Sequence, residues 1–322
     1  RIRIGKGVYR MGIGGLHSSE KSVAHVAGPG VRIVDRDVTS YYPSLILNAG
    51  ICPPAYGNHF PAVYRSILDR RVQAKRDGNK VINEALKIVL NGTFGKLGSM
   101  WSMMYAPDQM IAVTITGQIA LLMLIEMLEE SGITVISANT DGVVSMVRTD
   151  QQDLFDALIA AWEMTTGFNT EETEYEALYS RDVNNYLAVK AGDEVKLKGS
   201  FATEGLAKNP TNAVCIEAVI NYLVKGTPIQ DTIFKCADVR KFLTIRQVKG
   251  GAMYGDAYLG KATRWYYAKG ETRHIAYKLN GNKVARSEGA RPLMELPDAM
   301  PGDVDYMWYV NEANEILGDV GG

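Results

Sequence analysis

Two aspartates sit where carboxylates could hold metal. Asp37 closes a β-branched run over 31–37, just ahead of Tyr42-Pro43. Asp141 lies in Asn139-Thr140-Asp141-Gly142, between two further β-branched runs at 133–137 and 143–147. A carboxylate at a strand end facing another at a hairpin tip can ligate hard divalent cations through oxygen. Two cations held that way would serve in-line phosphoryl transfer, because they stabilise both the attacking and the leaving oxygen. Either aspartate alone is better explained as a turn former; it is the two together that point to metal. Cations recur at helical spacing. Arg71 and Lys75 lie at i, i+4 of one helical stretch, and Lys87 and Asn91 at i, i+4 of the next. Each pair therefore shares a helix face. Together these groups could grip a triphosphate, with Arg and Lys carrying the charge. Without the aspartates, the same spacing would read as a solvated basic helix.

The elements that must position these residues are set by periodicity and punctuation. Alternation over 31–37 predicts a strand. A short helix starts at Tyr42-Pro43 and is broken by Cys52-Pro53-Pro54. Over 60–76, Val63, Ile67, Leu68 and Val72 have helical spacing. Asp77-Gly78-Asn79 then turns the chain into a second helix over 81–90, and Gly92, Gly95 and Gly98 punctuate the residues after it. A long helix is predicted over 108–130. The Asp141-Gly142 pair predicts a β-hairpin. Beyond it, the pattern predicts a helix over 153–165, one or two strands within 174–198, and helices at 212–224 and near 238–248. The first thirty residues are Gly-rich and without periodicity. This order predicts an α+β fold, a sheet with helices packed on it and a helical hairpin projecting as an insertion.

Composition removes several classes of function. The 322 residues are 46% hydrophobic and 22% charged, an ordinary globular mixture that excludes collagen, coiled coil and wholesale disorder. The apolar run 111–128 contains Thr114, Thr116, Gly117, Gln118 and Glu126, so it reads as a buried helix, not a membrane span. Three cysteines without a CxxC argue against a disulfide framework or a cysteine zinc site, and point to a reducing, cytoplasmic compartment. No leader peptide is visible, and the four histidines lack zinc-ligand spacing. Gly255 to Lys261 has phosphate-loop spacing, but Ala262 stands where a Ser or Thr is needed. A net charge of −1 excludes a generally basic coat, yet charge is segregated. Residues 235–286 hold twelve Lys/Arg and three acids, residues 141–182 ten acids and two arginines, and residues 294–319 seven acids with no Lys or Arg.

Taken in order, these segments resemble a family-B DNA polymerase. Asp37-Val-Thr-Ser40-Tyr41-Tyr42-Pro43-Ser44 resembles the DxxSLYPS motif. Lys87-Ile-Val-Leu-Asn91-Gly-Thr-Phe94-Gly95 resembles KxxxNSxYG, and Ala138-Asn139-Thr140-Asp141-Gly142 resembles YGDTDS. Gly14-Gly15 resembles the YxGG element that precedes the first motif, and Arg71 with Lys75 the RxxxK pair of the fingers. The motifs cover about residues 10 to 200. The short fingers and the Gly14-Gly15-Leu16-His17-Ser18 wording are similar to phage or mobile-element members.

The resemblance implies an antiparallel-sheet palm with helices packed on it, helical-hairpin fingers and a mixed α/β thumb. Residues 1–57 and 99–200 would form the palm, 58–98 the fingers, and 201–322 the thumb and C-terminal region. It implies two Mg²⁺ ions, with Mn²⁺ as a substitute, on Asp37, Asp141 and the Val38 carbonyl. Ser40 and Tyr41 N–H groups would cradle the triphosphate, with Arg71, Lys75 and Lys87 neutralising it. Asn91 would place the nucleotide, and Tyr42 would lie under its sugar. Gly14, Gly15, Phe94, Gly95, Lys196 and Lys198 would meet primer-template DNA, and the 235–286 block would hold the duplex backbone. The partners implied are primer-template DNA and deoxynucleoside triphosphates, with no membrane. The stretch before Gly14 is too short for an exonuclease domain, so proofreading would lie on a missing segment or on another chain; the resemblance allows a separate exonuclease, clamp or primase as partner.

Four positions depart from the family pattern. Ala138 replaces the usual Gly, Asn139 the first Asp of DTD, Gly142 the usual Ser, and Phe94 the usual Tyr. Asp35, two residues before Asp37 on the same strand face, is expected to support the site or lie at the surface. Asn139 keeps open a catalytically impaired primer-template binding protein, and the paired acids keep open another two-metal nucleotidyltransferase or nuclease.

Overall fold

The structure, a computed structural model, describes residues 1–202 and 209–321. The expected thumb boundary at 201 abuts residues 203–208, which lie outside the described residues. The chain divides into two compact units. The first comprises Arg1–Lys21, His25–Leu178 and Asp182–Asn184, and the second Ser22–Ala24, Tyr179–Arg181 and Asn185–Gly322.

The first unit holds β1 (Ile2–Ile4), β2 (Gly7–Gly12), β3 (Gly15–Ser18), and β5 (Val31–Val38) after β4 (Val23–Val26). The helices α1 (Tyr41–Asn48), α2 (His59–Arg76), α3 (Lys80–Leu97) and α4 (Pro107–Glu130) come next. Then come β6 (Thr134–Asn139), β7 (Gly142–Arg148), α5 (Gln152–Thr166) and β8 (Thr170–Tyr175). Its central sheet is antiparallel, in the order β6-β7-β5-β8. On β5, Val34 and Val38 join the core with Val143, Val147 and residues of α4 and α5. Ile33, Asp35 and Asp37 alternate onto the opposite face.

Helix α4 is long and apolar enough to cross a membrane. Its Val113, Leu121, Leu124, Ile125 and Leu128 are instead buried in this core, and the Trp162 indole donates to Ala120 O at 2.8 Å. At Gly117 an added Cβ would come within 2.9 Å of Leu45 Cδ1. Glycine there lets α1 lie close, with Tyr41 OH donating to Gly117 O at 2.6 Å.

Three differences from the sequence expectations have physical causes, and the two places expected for Asp35 are narrowed to one. The first thirty residues form four short strands, too short and glycine-rich to show alternation. Helix α3 runs on through Gly92 and Gly95, because Leu90, Thr93 and Leu97 are buried along one face and packing outweighs the glycine penalty. The buried stripe of α2 is Phe60, Tyr64 and Leu68, with Val63 exposed; the Phe60 and Tyr64 rings stack at 5.2 Å and claim the core side. Asp35 is buried, not at the surface, and accepts a hydrogen bond from Tyr175 OH.

The second unit continues with β9 (Ala177–Asp182), β10 (Asn185–Val189) and β11 (Val195–Leu197), part of a sheet ordered β11-β10-β9-β4. Next are α6 (Ala213–Lys225), α7 (Ile229–Lys235), β12 (Thr244–Tyr254), β13 (Ala257–Tyr267), β14 (Ala276–Tyr277), β15 (Ala290–Pro292) and α8 (Tyr306–Asp319). A sheet ordered β14-β12-β13-β15 packs with these helices around Phe242, Trp265 and Tyr309. Residues 238–248, expected to be helical, are one 3₁₀ turn and the start of β12. The bulge near Gly250-Gly251 breaks that strand's alternation and hid it. Gly255-Asp256 is the turn between β12 and β13, which disposes of the phosphate-loop spacing.

Candidate active site

Strand register brings the acids together. Asp37 on β5 pairs directly with Gly142 on β7, and Val38 N donates to Asp141 O at 2.7 Å. The hairpin tip is thereby tied to the strand end. An added Cβ at Gly142 would lie 2.3 Å from Asp37 Oδ1 and 2.9 Å from Arg36 O. Glycine at this position makes the room the Asp37 carboxylate occupies. We expect Gly142→Ala to push that carboxylate aside. If the two acids carry phosphoryl transfer, its rate should fall by on the order of tenfold to a hundredfold with ligand affinity retained. Steady-state rates alongside a binding titration check this.

Asn139 holds the hairpin tip. Its Oδ1 accepts from the adjacent Thr140 N at 2.8 Å, a contact local to the tip. The glycine pair packs on the same tip. Gly15, at φ +132°, would place a Cβ 2.8 Å from the Thr140 side chain. Gln118 Nε2 donates to Gly12 O at 2.6 Å, fixing the β2–β3 turn on α4. Gly14 O accepts from Tyr42 OH at 3.2 Å.

A cavity of about 920 Å³ opens beside the two aspartates. It gathers Asp37, Val38, Ser40, Tyr41, Tyr42, Arg71, Lys75, Lys87, Asn91 and Asp141. At its floor α1 begins. Ser40, at φ 52°, is the residue before the first turn, and the N–H groups at that end have no carbonyl one turn back to bond. Such an end favours anions. Helices α2 and α3 form the wall as an antiparallel hairpin, turned at Gly78 (φ +68°) and capped where Asn79 accepts from Ile82 N at 3.1 Å. Tyr64 OH, donating to Leu90 O at 2.9 Å, locks the pair. The Arg71 guanidinium bonds Ser40 Oγ, and its Nε is shielded from solvent with no partner among the described residues.

Tyr42 lies flat against Phe94, ring centroids 4.1 Å apart and planes at 14°. Burial, with the Asp141 charge adding to it, raises the Tyr42 phenol above its ordinary range and keeps it neutral. Phe94 therefore reaches the site through Tyr42, and Gly95 is the next residue on α3. Lys196 lies on β11 and Lys198 directly after it, in the second unit.

The acidic block at 141–182 divides by face. Glu172 and Glu174 pair with Arg32 at 2.8 Å each, and Arg36 bridges Glu172 and Asp156. Asp141 and Glu171 remain on the cavity. Sequence reasoning missed Glu171. It is paired in register with Asp37 and bonds Lys75 Nζ through both oxygens, at 2.5 and 2.6 Å. Nothing local marks it out from its acidic neighbours, because its face depends on a pairing more than 130 residues away in sequence. The basic block is likewise half neutralised. Lys235, Arg240, Lys241, Arg273, Lys283 and Arg286 each have an acidic partner.

The donor set suits a hard cation. Two carboxylates and the Val38 backbone are oxygen donors, and Gly142 leaves the space beside one of them. Among the described residues no three or more His, Cys, Asp or Glu side chains converge as a metal cage. A cation here would complete its shell with water and phosphate oxygens, as Mg²⁺ commonly does.

No protein-family model matches the chain. Over 81 residues, a quarter of this chain, it is 32% identical to DNA polymerase II of Escherichia coli (strain K12), of which the match covers 10%. Its fold matches the family B DNA polymerase from the hyperthermophilic archaeon Pyrobaculum calidifontis, with a TM-score of 0.56 at 14% identity. That match covers 99% of this chain and 47% of the archaeal one, so the chain spans about half the length of its solved relative.

Proposed function

We propose that this chain, which has the fold of a family-B DNA polymerase, is a template-directed DNA polymerase core. The observation that carries the reading is one cavity that combines paired aspartates with a cationic helical wall. A nuclease needs the acids but has no use for a triphosphate grip. In the reaction, the primer 3′-hydroxyl gives its proton to water and its oxygen forms a bond to the α-phosphorus of a deoxynucleoside triphosphate. The bond from that phosphorus to the β-phosphate bridging oxygen breaks, and pyrophosphate leaves. Asp37, Asp141 and the Val38 carbonyl would hold two Mg²⁺ ions, which supply acidification of the hydroxyl and offset charge on the transferring phosphoryl group.

The chain's own residues bind and orient. Ser40 and Tyr41 N–H groups at the start of α1 meet the phosphates. Arg71, Lys75 and Lys87 offset their charge, and Asn91 holds the nucleotide against the wall. Tyr42, backed by the stacked Phe94 ring, makes a flat floor for the sugar and nascent base pair, and Gly14-Gly15 braces Tyr42 from below. The palm is read onto the first unit's sheet and the fingers onto α2 and α3. Lys196, Lys198 and the basic block of the second unit are assigned to the duplex backbone.

The test is primer extension with Mg²⁺ on purified protein. Extension supports this reading; binding without extension indicates the clamp-like alternative, and strand cleavage indicates a nuclease. Arg71→Ala and Lys87→Ala should each raise the nucleotide KM by about ten- to a hundredfold, the cost of a lost charge-assisted contact. Primer-template affinity should change little. Collapse of DNA affinity with nucleotide KM unmoved would place these residues on the DNA track instead.

A further inference from the structure

Glu171 touches the cationic wall at the point where a triphosphate would. Its pairing with Asp37 across β5 and β8 puts both carboxylates on one sheet face. Lys75 Nζ lies 2.5 and 2.6 Å from its two oxygens, and Thr39 Oγ1 donates to it at 3.3 Å. Lys75 is one helical turn beyond Arg71, and the Lys75 and Glu171 side chains are each 49% exposed, so a ligand can reach the pair. Without an anion, Lys75 would project from α2 beside Arg71 and Arg76 with its charge uncompensated.

We infer that Glu171 is a built-in stand-in for the triphosphate. It holds Lys75, and with it this part of α2, docked on the sheet until nucleotide enters, and it is then displaced. The inference rests on the polymerase reading above and adds a positioning and selectivity role that the motifs do not contain. Lys75 cannot serve both anions fully. A ligand must therefore carry enough negative charge to exchange for the Glu171 carboxylate, which favours triphosphates over weakly charged nucleotides.

The sign of the effect is distinctive. A pair broken on binding opposes binding, so removing it should tighten nucleotide affinity. For a half-exposed pair the gain is roughly two- to fivefold. The experiment is equilibrium binding of a fluorescent deoxynucleoside triphosphate to the protein on a chain-terminated primer-template. Wild type, Glu171→Gln, Lys75→Ala and the double variant complete a double-mutant cycle. Glu171→Gln is expected to lower the Kd two- to fivefold, Lys75→Ala to raise it, and Glu171→Gln to have no effect once Lys75 is alanine.

An unchanged or raised Kd in Glu171→Gln overturns the inference, and a raised Kd that tracks Mg²⁺ concentration marks Glu171 as a metal ligand. Equal tightening with and without Lys75 also overturns it, since that is only the loss of a nearby negative charge. Nucleotide binding by wild type with any of those results leaves the polymerase reading standing. A wild-type complex that binds no nucleotide removes both.

Discussion

Asp141→Ala is expected to abolish primer extension, by at least roughly a thousandfold, while primer-template binding persists. Backbone contacts tie Asp141 to Asp37: the Asp37–Gly142 pairing and the 2.7 Å bond from Val38 N to Asp141 O. These two contacts do not involve either carboxylate and are expected to persist when one is deleted. Asp37→Ala should behave the same way. On the proposed reading, DNA is held by phosphate contacts elsewhere, so its affinity should change little. Asn139→Ala gives the contrast. It loses the bond to Thr140 N and loosens the tip, but removes no charge, so extension should fall only modestly. Single-turnover rates with parallel DNA-binding titrations measure all three. Near-normal extension by Asp141→Ala would end the two-metal assignment.

Tyr42→Gly is expected to shift the preference for deoxy- over ribonucleotides by about a hundredfold. The ring is fixed on both sides, stacked on Phe94 at 4.1 Å and held by its hydroxyl to Gly14 O. It also lines the cavity beside the aspartates, five residues after Asp37. A 2′-hydroxyl lying over that face meets carbon in place of a polar partner. Overlap of this kind costs a few kcal/mol, enough for the stated ratio. Tyr42→Phe should change discrimination little, because stacking on Phe94 keeps the ring in position. The readout is the ratio of kcat/KM for ribo- and deoxyribonucleotide on one primer-template. A wild-type enzyme that uses both equally, or an unchanged ratio in Tyr42→Gly, would contradict this role.

The acids are legible in the sequence because their signals are local. A β-branched run ending in Asp37 and an Asp-Gly pair between two such runs each fit within fifteen residues. The cations of α2 and α3 are legible for the same reason, as i, i+4 spacing needs no partner. The hidden features depend on distant pairing. Glu171 takes its face from the β5–β8 register, and the Gly14-Gly15 brace comes from contacts with Thr140 and Tyr42. Helix α3 reads as ending at Leu90 because glycine propensity is local while the burial of Leu97 is not. Asp35 is placed by Tyr175, 140 residues on, whose hydroxyl bonds it only once β5 and β8 have paired.

The most direct measurement is single-nucleotide addition on four primer-templates that differ only in the templating base, with Mg²⁺ and with chelator. Each primer should gain the complementary deoxynucleotide and no other, and chelator should stop the reaction. Addition that ignores the template, chelator-resistant addition, or primer shortening would contradict a template-directed polymerase built on Asp37 and Asp141.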